Sequence, residues 1–453
     1  MNQLQALLIL KTGINVFLTG EPGSGKTHLV NQYALYLREQ KIETAITAST
    51  GIAATHIGGM TIHSWSGIGI KTKLDKHDLD KIASTKYIEN RVRRAKVLII
   101  DEVSMLSSNT LSMLDAVCRR IRLSSKPFGG LQIVFVGDFF QLPPIVKKEA
   151  EDDAQASLIS AEVGSSLGRE ESLTRFAYGS SAWTLANPIV CYLTEQYRQD
   201  DQNFLSILSA IRRNTFNDNH LRHLEIRKIE YRAAPSNAPK LFSHNFDVDH
   251  VNNEMLAKIP GKLHKFNMSV RGAKALVVGL KKGCLSPETL SLKINAVVMF
   301  TKNNLKEEFM NGMLGIVEKF NKTTGYPIVK TRNGRRIEVK QMDWTVEEKG
   351  KIRGRITQLP LRLAWAITVH KSQGMSLDEA VIDLSQVFEF GQGYVALSRV
   401  RRLSGLHLLG WNERAFKVHP AVLAQDELFR LASSKAEMSL SKLDSASRGE
   451  KRL

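Results

Sequence analysis

Residues 16–27 read VFLTGEPGSGKT, a short β-branched and apolar run that opens into a glycine-rich loop closed by Lys and Thr. Residues 20–27 match GxxxxGK[ST] in full, and the helix-patterned HLVNQYALYLREQ comes directly after. Strand, loop and helix in that order place backbone N–H groups around a phosphate at a helix N-terminus. The glycines Gly20, Gly23 and Gly25, with Ser24 between them, let the backbone close on the ligand. Lys26 is the cation for the β- and γ-phosphates and Thr27 the hydroxyl for Mg²⁺. A strand feeding such a loop belongs to a parallel sheet, so the reading extends to the other strands of that sheet.

Apolar runs at 44–48, 96–100, 132–136 and 188–193 alternate with helix-patterned stretches, the signature of an α/β fold with helices on both faces of a parallel sheet. VLIIDEVSM at 97–105 ends one of these strands on an acid pair. Asp101 suits an outer ligand to Mg²⁺, and Glu102 suits orienting or deprotonating a water, which turns nucleotide binding into hydrolysis. QIVFV runs into GDFFQLPP at 137–144, where Gln141 is positioned to sense the γ-phosphate and the Pro-Pro pair stiffens the chain toward a ligand.

The chain has 453 residues, enough for roughly three units of ~150 residues. Its 63 Lys and Arg against 45 Asp and Glu give a net charge of +18, a balance that fits a polyanion such as nucleic acid. Cys118, Cys191 and Cys284 have neither disulfide-framework nor zinc-ligand spacing. No apolar run approaches the ~18 residues of a membrane span, and the N-terminus lacks a signal-peptide pattern. The expectation is a protein of a bacterial-like cytoplasm, without membrane contact and without a tightly bound metal beyond Mg²⁺.

Residues 66–90 carry Lys71, Lys73, Lys76, Lys81 and Lys86 with few large apolar residues and read as an exposed insertion. Residues 147–181 are rich in Ser, Ala and carboxylates and read as a long mobile loop. The Asn333-Gly334 turn between 328–332 and 336–339 predicts a hairpin, within a small β insert over about 293–358. The α/β pattern resumes at 361–369, 380–384 and 406–409. The expected organisation is a first domain at 1–190, a second at 191–432 and a polar flexible tail at 433–453. His56 and His77 read as ordinary surface or loop histidines.

The ordered series GEPGSGKT, TASTGIAATHIGGMTIHSW (47–65), DEVSM (101–105), GDFFQLPP (137–144), LTEQYRQ (193–199), AWAITVHKSQGMSLD (364–378) and GQGYVALSRV (391–400) resembles the Pif-family DNA helicases of superfamily one, the 5′-to-3′ branch related to RecD. The resemblance covers about residues 3 to 425. It implies two RecA-like P-loop domains with ATP between them and single-stranded DNA across them, a wedge at about 66–90 and an SH3-like insert at about 293–358. By the same resemblance Gln3, with Gln5 close enough to compete, reads adenine, while Arg198 and Arg399 reach the γ-phosphate and Gly374 belongs to the ATP site. Thr50, Gly51, His63, His370, Lys371 and Ser372 match DNA-contacting positions. Trp65, Phe139 and Pro144 join them as candidates, the two rings as platforms for a base, although Trp65 fits a core position equally.

The implied function is an ATP-dependent helicase that moves 5′-to-3′ on single-stranded DNA and opens duplex or forked DNA in repair, recombination or replication. ATP and Mg²⁺ are its cofactors, and a monomer is expected, with a single-stranded-DNA-binding protein admitted as a partner. Two alternatives stay open: a nucleotide-switched nucleic-acid-binding protein, and an RNA or RecD-type helicase subunit.

Overall fold

The structure is a computed structural model. It describes all residues except 70, 145–174, 198–200, 236–237, 243–247, 305, 308, 310, 332–333, 349–350, 370–371 and 450–453. The chain divides into two compact units, one of Met1–Thr50, Gly59–Tyr197 and His419–Leu453, the other of Gly51–Gly58 and Arg198–Val418. Elements are numbered along the whole chain.

In the first unit the runs read as strands become β1 (Val16–Gly20), β2 (Thr44–Ala48), β4 (Val97–Asp101), β5 (Gln132–Val136) and β6 (Ile189–Leu193), joined by the short β3 (Met60–Thr61). They form one sheet in the order β3-β2-β4-β5-β1-β6, and neighbouring strands run parallel throughout. Strands β1 and β4 are buried along their whole length, as continuous apolar runs in a parallel sheet must be. Their carboxyl ends bring Gly20, Asp101 and the residues after Val136 to one edge of the sheet, where α/β proteins bind ligands.

One face of the sheet is covered by α1 (Gln3–Lys11) and α2 (Lys26–Glu39), whose Ile9, Leu10, Leu29, Val30 and Tyr33 pack on Val16, Leu18, Val97 and Val134. α7 (Ser108–Arg122), opened by a Ser107 cap on the Thr110 N–H, buries Leu111, Leu114, Val117, Cys118 and Ile121. α8 (Ser181–Ala186) adds Trp183, which stacks on Phe135 with ring centroids 4.4 Å apart.

Residues 66–90 include α5 (Lys76–Ser84), capped by Asp75, and the start of α6 (Lys86–Arg94). Ile82, Ile88 and Val92 anchor the pair, while the lysines stay on the outside. α4 (Ile62–Ser66) precedes them.

The C-terminal stretch departs from expectation. Of residues 433–453, read as a polar flexible tail, 433–449 belong instead to α14 (Pro420–Gly449), which is part of the first unit, and 450–453 lie outside the described residues. Val422, Phe429 and Ser433 are 2 %, 7 % and 3 % exposed, and Ala436 and Leu440 pack on the sheet's core. The helix covers β6, the edge strand of the sheet, and that edge is where an unpaired strand needs cover. The cut expected between 190 and 191 likewise falls inside β6, and the first unit runs on to Tyr197.

The second unit has its own parallel sheet, β18 (Ala366–Thr368), β7 (Lys240–Phe242), β19 (Ala380–Leu384) and β20 (Leu406–Trp411), in that order. Asn252, on α11 (Val248–Lys258), is 3 % exposed; its Oδ1 accepts from Trp365 and Ala366 N–H at 3.0 Å and its Nδ2 donates to Ala366 O at 2.9 Å, fixing where β18 begins. The remaining helices of this unit are α3 (Gly51–His56), α9 (Gln202–Arg212), α10 (Asp218–Glu225), α12 (Lys274–Gly283) and α13 (Gln392–Leu397).

Antiparallel strands fill the stretch read as a β insert. β11 (Val297–Phe300), β12 (Leu314–Phe320), β13 (Pro327–Thr331), β14 (Arg336–Glu338) and β17 (Leu361–Leu363) make one sheet. β15 (Met342–Glu348) pairs with β16 (Lys351–Gln358), and β16 with β9 (Ser269–Gly272), in another, and β8 (His264–Asn267) pairs with β10 (Thr289–Leu292). β13 and β14 pair Lys330 with Arg336 around Gly334 at φ +83°, the hairpin that the Asn-Gly dipeptide predicts.

Candidate active site

The phosphate loop occupies the first unit's sheet edge, between β1 and α2. Gly20, Gly23 and Gly25 have φ of +148°, +89° and +85°. A Cβ on Gly20 would lie 2.7 Å from Leu193 O and 2.8 Å from Ser24 Oγ, and one on Gly25 would collide with Gln3 Nε2. Glycine is thus required twice over, for the backbone turn and for the close approach of β6 and α1. Lys26 Nζ donates to Gly20 O at 2.8 Å and Glu21 O at 3.1 Å, so the ammonium caps the loop's own carbonyls. Ser24 Oγ is buried with no hydrogen-bond partner among the described residues.

Asp101 ends β4, two strands from β1, and is 9 % exposed. Its Oδ1 accepts the Glu102 N–H at 2.8 Å. Burial pushes its carboxyl up to about 6, against the opposing pull of that N–H and of the Lys26 ammonium. Glu102 itself sits at φ 52°, ψ 44°, a left-handed conformation that side-chain-bearing residues adopt at a cost and that clusters at functional sites. Gln141 is 7 % exposed; its N–H donates to Asp138 O at 3.0 Å, and Nε2 lies 3.5 Å from Asp138 Oδ2. These three residues stand at the ends of β4 and β5, beside the loop that ends β1.

A wall beside the loop comes from residues that the motif reading passes over. Gln196 Nε2 donates to Glu21 Oε2 at 3.1 Å, and the Tyr197 N–H donates to Gly23 O at 3.0 Å. Gln3 Nε2 donates to Ser24 O at 3.3 Å, and the Gln3 N–H reaches Glu195 Oε2 at 3.3 Å. Tyr197, 63 % exposed, gives its hydroxyl to Glu195 at 3.0 Å. The signal is present in LTEQYRQ, where Glu195, Gln196 and Tyr197 lie between the end of a buried strand and Arg198, the residue that the family resemblance singles out.

Of the DNA candidates in the first unit, Thr50 and His63 are half-buried, and burial holds the His63 imidazole below its ordinary pKa. Trp65 and Phe139 do not meet the expectation of base platforms. They are 3 % and 5 % exposed, and Phe139 lies among Phe17, Phe176, Tyr178, Trp183 and Phe429 at 4.8–6.2 Å between ring centroids. A ring enclosed on both faces offers none to a base. Pro144 is buried as well.

In the second unit Gly51 begins α3, and Gly374 is exposed at φ +78°. Ser372 is fully buried, its hydroxyl donated to Val369 O at 2.7 Å and its N–H to Thr368 O, so neither donor is turned outward for a phosphate. Arg399 is 1 % exposed; its Nε donates to Val395 O at 2.9 Å and its Nη2 to Ser398 Oγ at 2.8 Å. Arg198, His370 and Lys371 lie outside the described residues, as does most of the 147–181 loop.

The family model described as PIF1-like helicase matches residues 2–220. An ATP-dependent DNA helicase Pif1 from a Psychrobacter strain is 38 % identical, with 98 % of this chain and 73 % of the relative covered. The chain belongs to the PIF1-like helicase family. Among solved structures, Bacteroides sp. Pif1 in complex with ADP-AlF4 is 28 % identical with a TM-score of 0.79, covering 94 % of this chain and 96 % of that one. Bacteroides Pif1 bound to single-stranded DNA has the same identity and a TM-score of 0.59, covering 94 % and 95 %. Members of the PIF1-like family are ATP-hydrolysing DNA helicases, and this chain is one, with the mixed α/β fold and RecA-like domains of those structures. No described helix is long and apolar enough to cross a membrane.

Proposed function

We propose that this helicase moves 5′-to-3′ along single-stranded DNA as a monomer, separating duplex or forked DNA with ATP hydrolysed at the phosphate loop of its first unit. The observation that carries the reading is the joint placement of Lys26 at the loop and of Asp101 with the strained Glu102 two strands away on the same sheet edge.

An incoming triphosphate exchanges the loop carbonyls on Lys26 for its own oxygens, which draws the ammonium onto the β- and γ-phosphates. Ser24 Oγ and the N–H groups at the start of α2 are the donors beside it. Gln3 and the exposed Tyr197 stand next to Gly25 and take the base, one by its edge and one by its ring face. Glu102 orients the attacking water and Gln141 senses the γ-phosphate. The oxygen donors Thr27 and Asp101 fit a hard divalent cation, and a carboxylate kept buried at this edge is the donor such a cation takes. Mg²⁺, when bound there, neutralises phosphate charge.

By the family resemblance Arg198, Arg399 and Gly374 are the candidates for the γ-phosphate from the second stretch of motifs. Thr50, Gly51, His63, His370 and Lys371 contact the DNA backbone, as cations and donors on a phosphate track do. The antiparallel strands of 293–358 are assigned to the SH3-like insert, and the α5–α6 pair to the wedge that parts the strands.

The test is strand separation with ATP and Mg²⁺ on duplexes tailed at the 5′ or the 3′ end. Unwinding of the 5′-tailed duplex alone, abolished by Lys26→Ala, is expected. Unwinding from the 3′ tail overturns the direction, and an ATPase indifferent to single-stranded DNA overturns the motor. Stimulation by RNA of equal length, matched against DNA, separates the RNA-directed alternative.

A further inference from the structure

Helix α14 runs along β6, and its inward face repeats at Val422, Asp426, Phe429, Ser433, Ala436 and Leu440, a spacing of four and three that keeps one side of a helix on its neighbour. Two of those positions are polar, and both are spent on one residue of β6. Ser433 Oγ accepts the Tyr192 N–H at 3.0 Å, a bond to the outer edge of the edge strand. Arg430 Nη2 donates to Tyr192 Oη at 2.6 Å, and its guanidinium lies over the Tyr192 ring at 4.3 Å. Asp426 Oδ2 holds that guanidinium at 2.7 Å and lies 3.4 Å from the Tyr192 hydroxyl. Tyr192 is 3 % exposed, so the network is built and not incidental.

Beyond Tyr192 the chain leads directly into the nucleotide wall. Tyr192 pairs with Thr19 and Leu193 with Gly20, so the clasp fixes the register at which β6 meets the first residue of the phosphate loop. Leu193 O then sits so near Gly20 that no side chain fits between them. Two residues further, Glu195, Gln196 and Tyr197 bond Gln3, Glu21 and Gly23.

We infer that Arg430 and Ser433 of α14 are positioning residues for ATP, acting through Tyr192 to set the wall of Glu195, Gln196 and Tyr197 against the phosphate loop. A helix encoded after the last helicase motif thereby tunes nucleotide affinity from behind the site. The inference rests on the reading that this wall takes the nucleotide, and the experiment tests the two separately.

The DNA-stimulated ATPase is measured for Arg430→Met, Arg430→Lys, Tyr192→Phe, Ser433→Ala, the Arg430→Met/Tyr192→Phe pair, and Tyr197→Ala. Arg430→Met and Tyr192→Phe each raise KM for ATP about fivefold with kcat within about twofold, as loss of a part-buried charge-assisted hydrogen bond implies. The pair costs little more than either alone, because both remove one interaction. Arg430→Lys recovers part of the loss. Affinity for single-stranded DNA without nucleotide stays within about twofold, which a general loss of folding would not permit.

If Tyr197→Ala raises KM while Arg430→Met lowers only thermal stability, the wall is right and the clasp is structural, which overturns the inference. If Tyr197→Ala leaves KM unchanged, the reading of the wall falls. The inference, which acts through that wall, then falls with it whatever Arg430→Met does.

Discussion

Asp101→Asn should make the resting protein more stable while removing its activity. The wild-type carboxyl is 9 % exposed and raised by burial from an ordinary 3.8 to about 6. Because the folded pKa lies above the unfolded one, the folded state holds the extra proton between about pH 4 and 6. Stability therefore falls as pH rises through that window, and the whole penalty is present above about pH 6. A shift of about two units at 1.36 kcal/mol each amounts to ~3 kcal/mol. Asparagine keeps an oxygen for the Glu102 N–H and carries no charge to desolvate.

Urea denaturation without metal or nucleotide, followed by the fluorescence of the buried Trp65 and Trp183, reads the difference. The variant should gain ~3 kcal/mol at pH 7.5 and nothing at pH 3.5, with ATPase reduced at least ~100-fold. Mg²⁺ with ADP should then stabilise the wild type more than the variant. A variant no more stable at pH 7.5, or a gain that does not shrink toward pH 4, would refute the account of this acid as a charge held against its environment for use.

Phe429→Ala should cost about 3–5 kcal/mol in the same denaturation experiment, since its ring lies 4.9 Å from Phe17 and 6.1 Å from Phe139; a loss below ~1 kcal/mol would return α14 to the status of a loose tail. Glu102→Gly should relieve the left-handed backbone and leave stability unchanged or up by about 1 kcal/mol, with hydrolysis slowed at least ~100-fold. Trp65→Phe should leave single-stranded DNA affinity within about twofold while lowering stability by ~1–2 kcal/mol, and a tenfold loss of affinity at unchanged stability would restore this ring as a base platform.

The placement of the glycine-rich loop and of the acid pair on one sheet edge was legible because the signal for it is local. Gly20, Gly25, Lys26 and Thr27 are neighbours in the chain, and Asp101 and Glu102 end an apolar run that can only be a buried strand. Register then carries Asp101 to the loop's edge without further help from side chains. Phe139 was misread as a base platform, and Trp65 left open between base and core, for the opposite reason. Trp65 and Phe139 are the residue types a strand tracker stacks on bases, and the same types fill cores. For Phe139, only the arrival of Trp183, Tyr178 and Phe429, from 39 to 290 residues later, decides between the two.

Periodicity and short motifs act over a few residues, and they were enough to establish the first sheet, its strand-end loop and the acids beside it. The standing of residues 420–449 and of the wall at 195–197 depended instead on the folded chain. Val422, Phe429 and Leu440 share their stripe with Asp426 and Ser433, so the apolar period is broken wherever the helix meets a polar partner. That stripe becomes a buried face only once Tyr192, more than two hundred residues earlier, supplies the hydroxyl and the edge-strand N–H that those polar side chains satisfy.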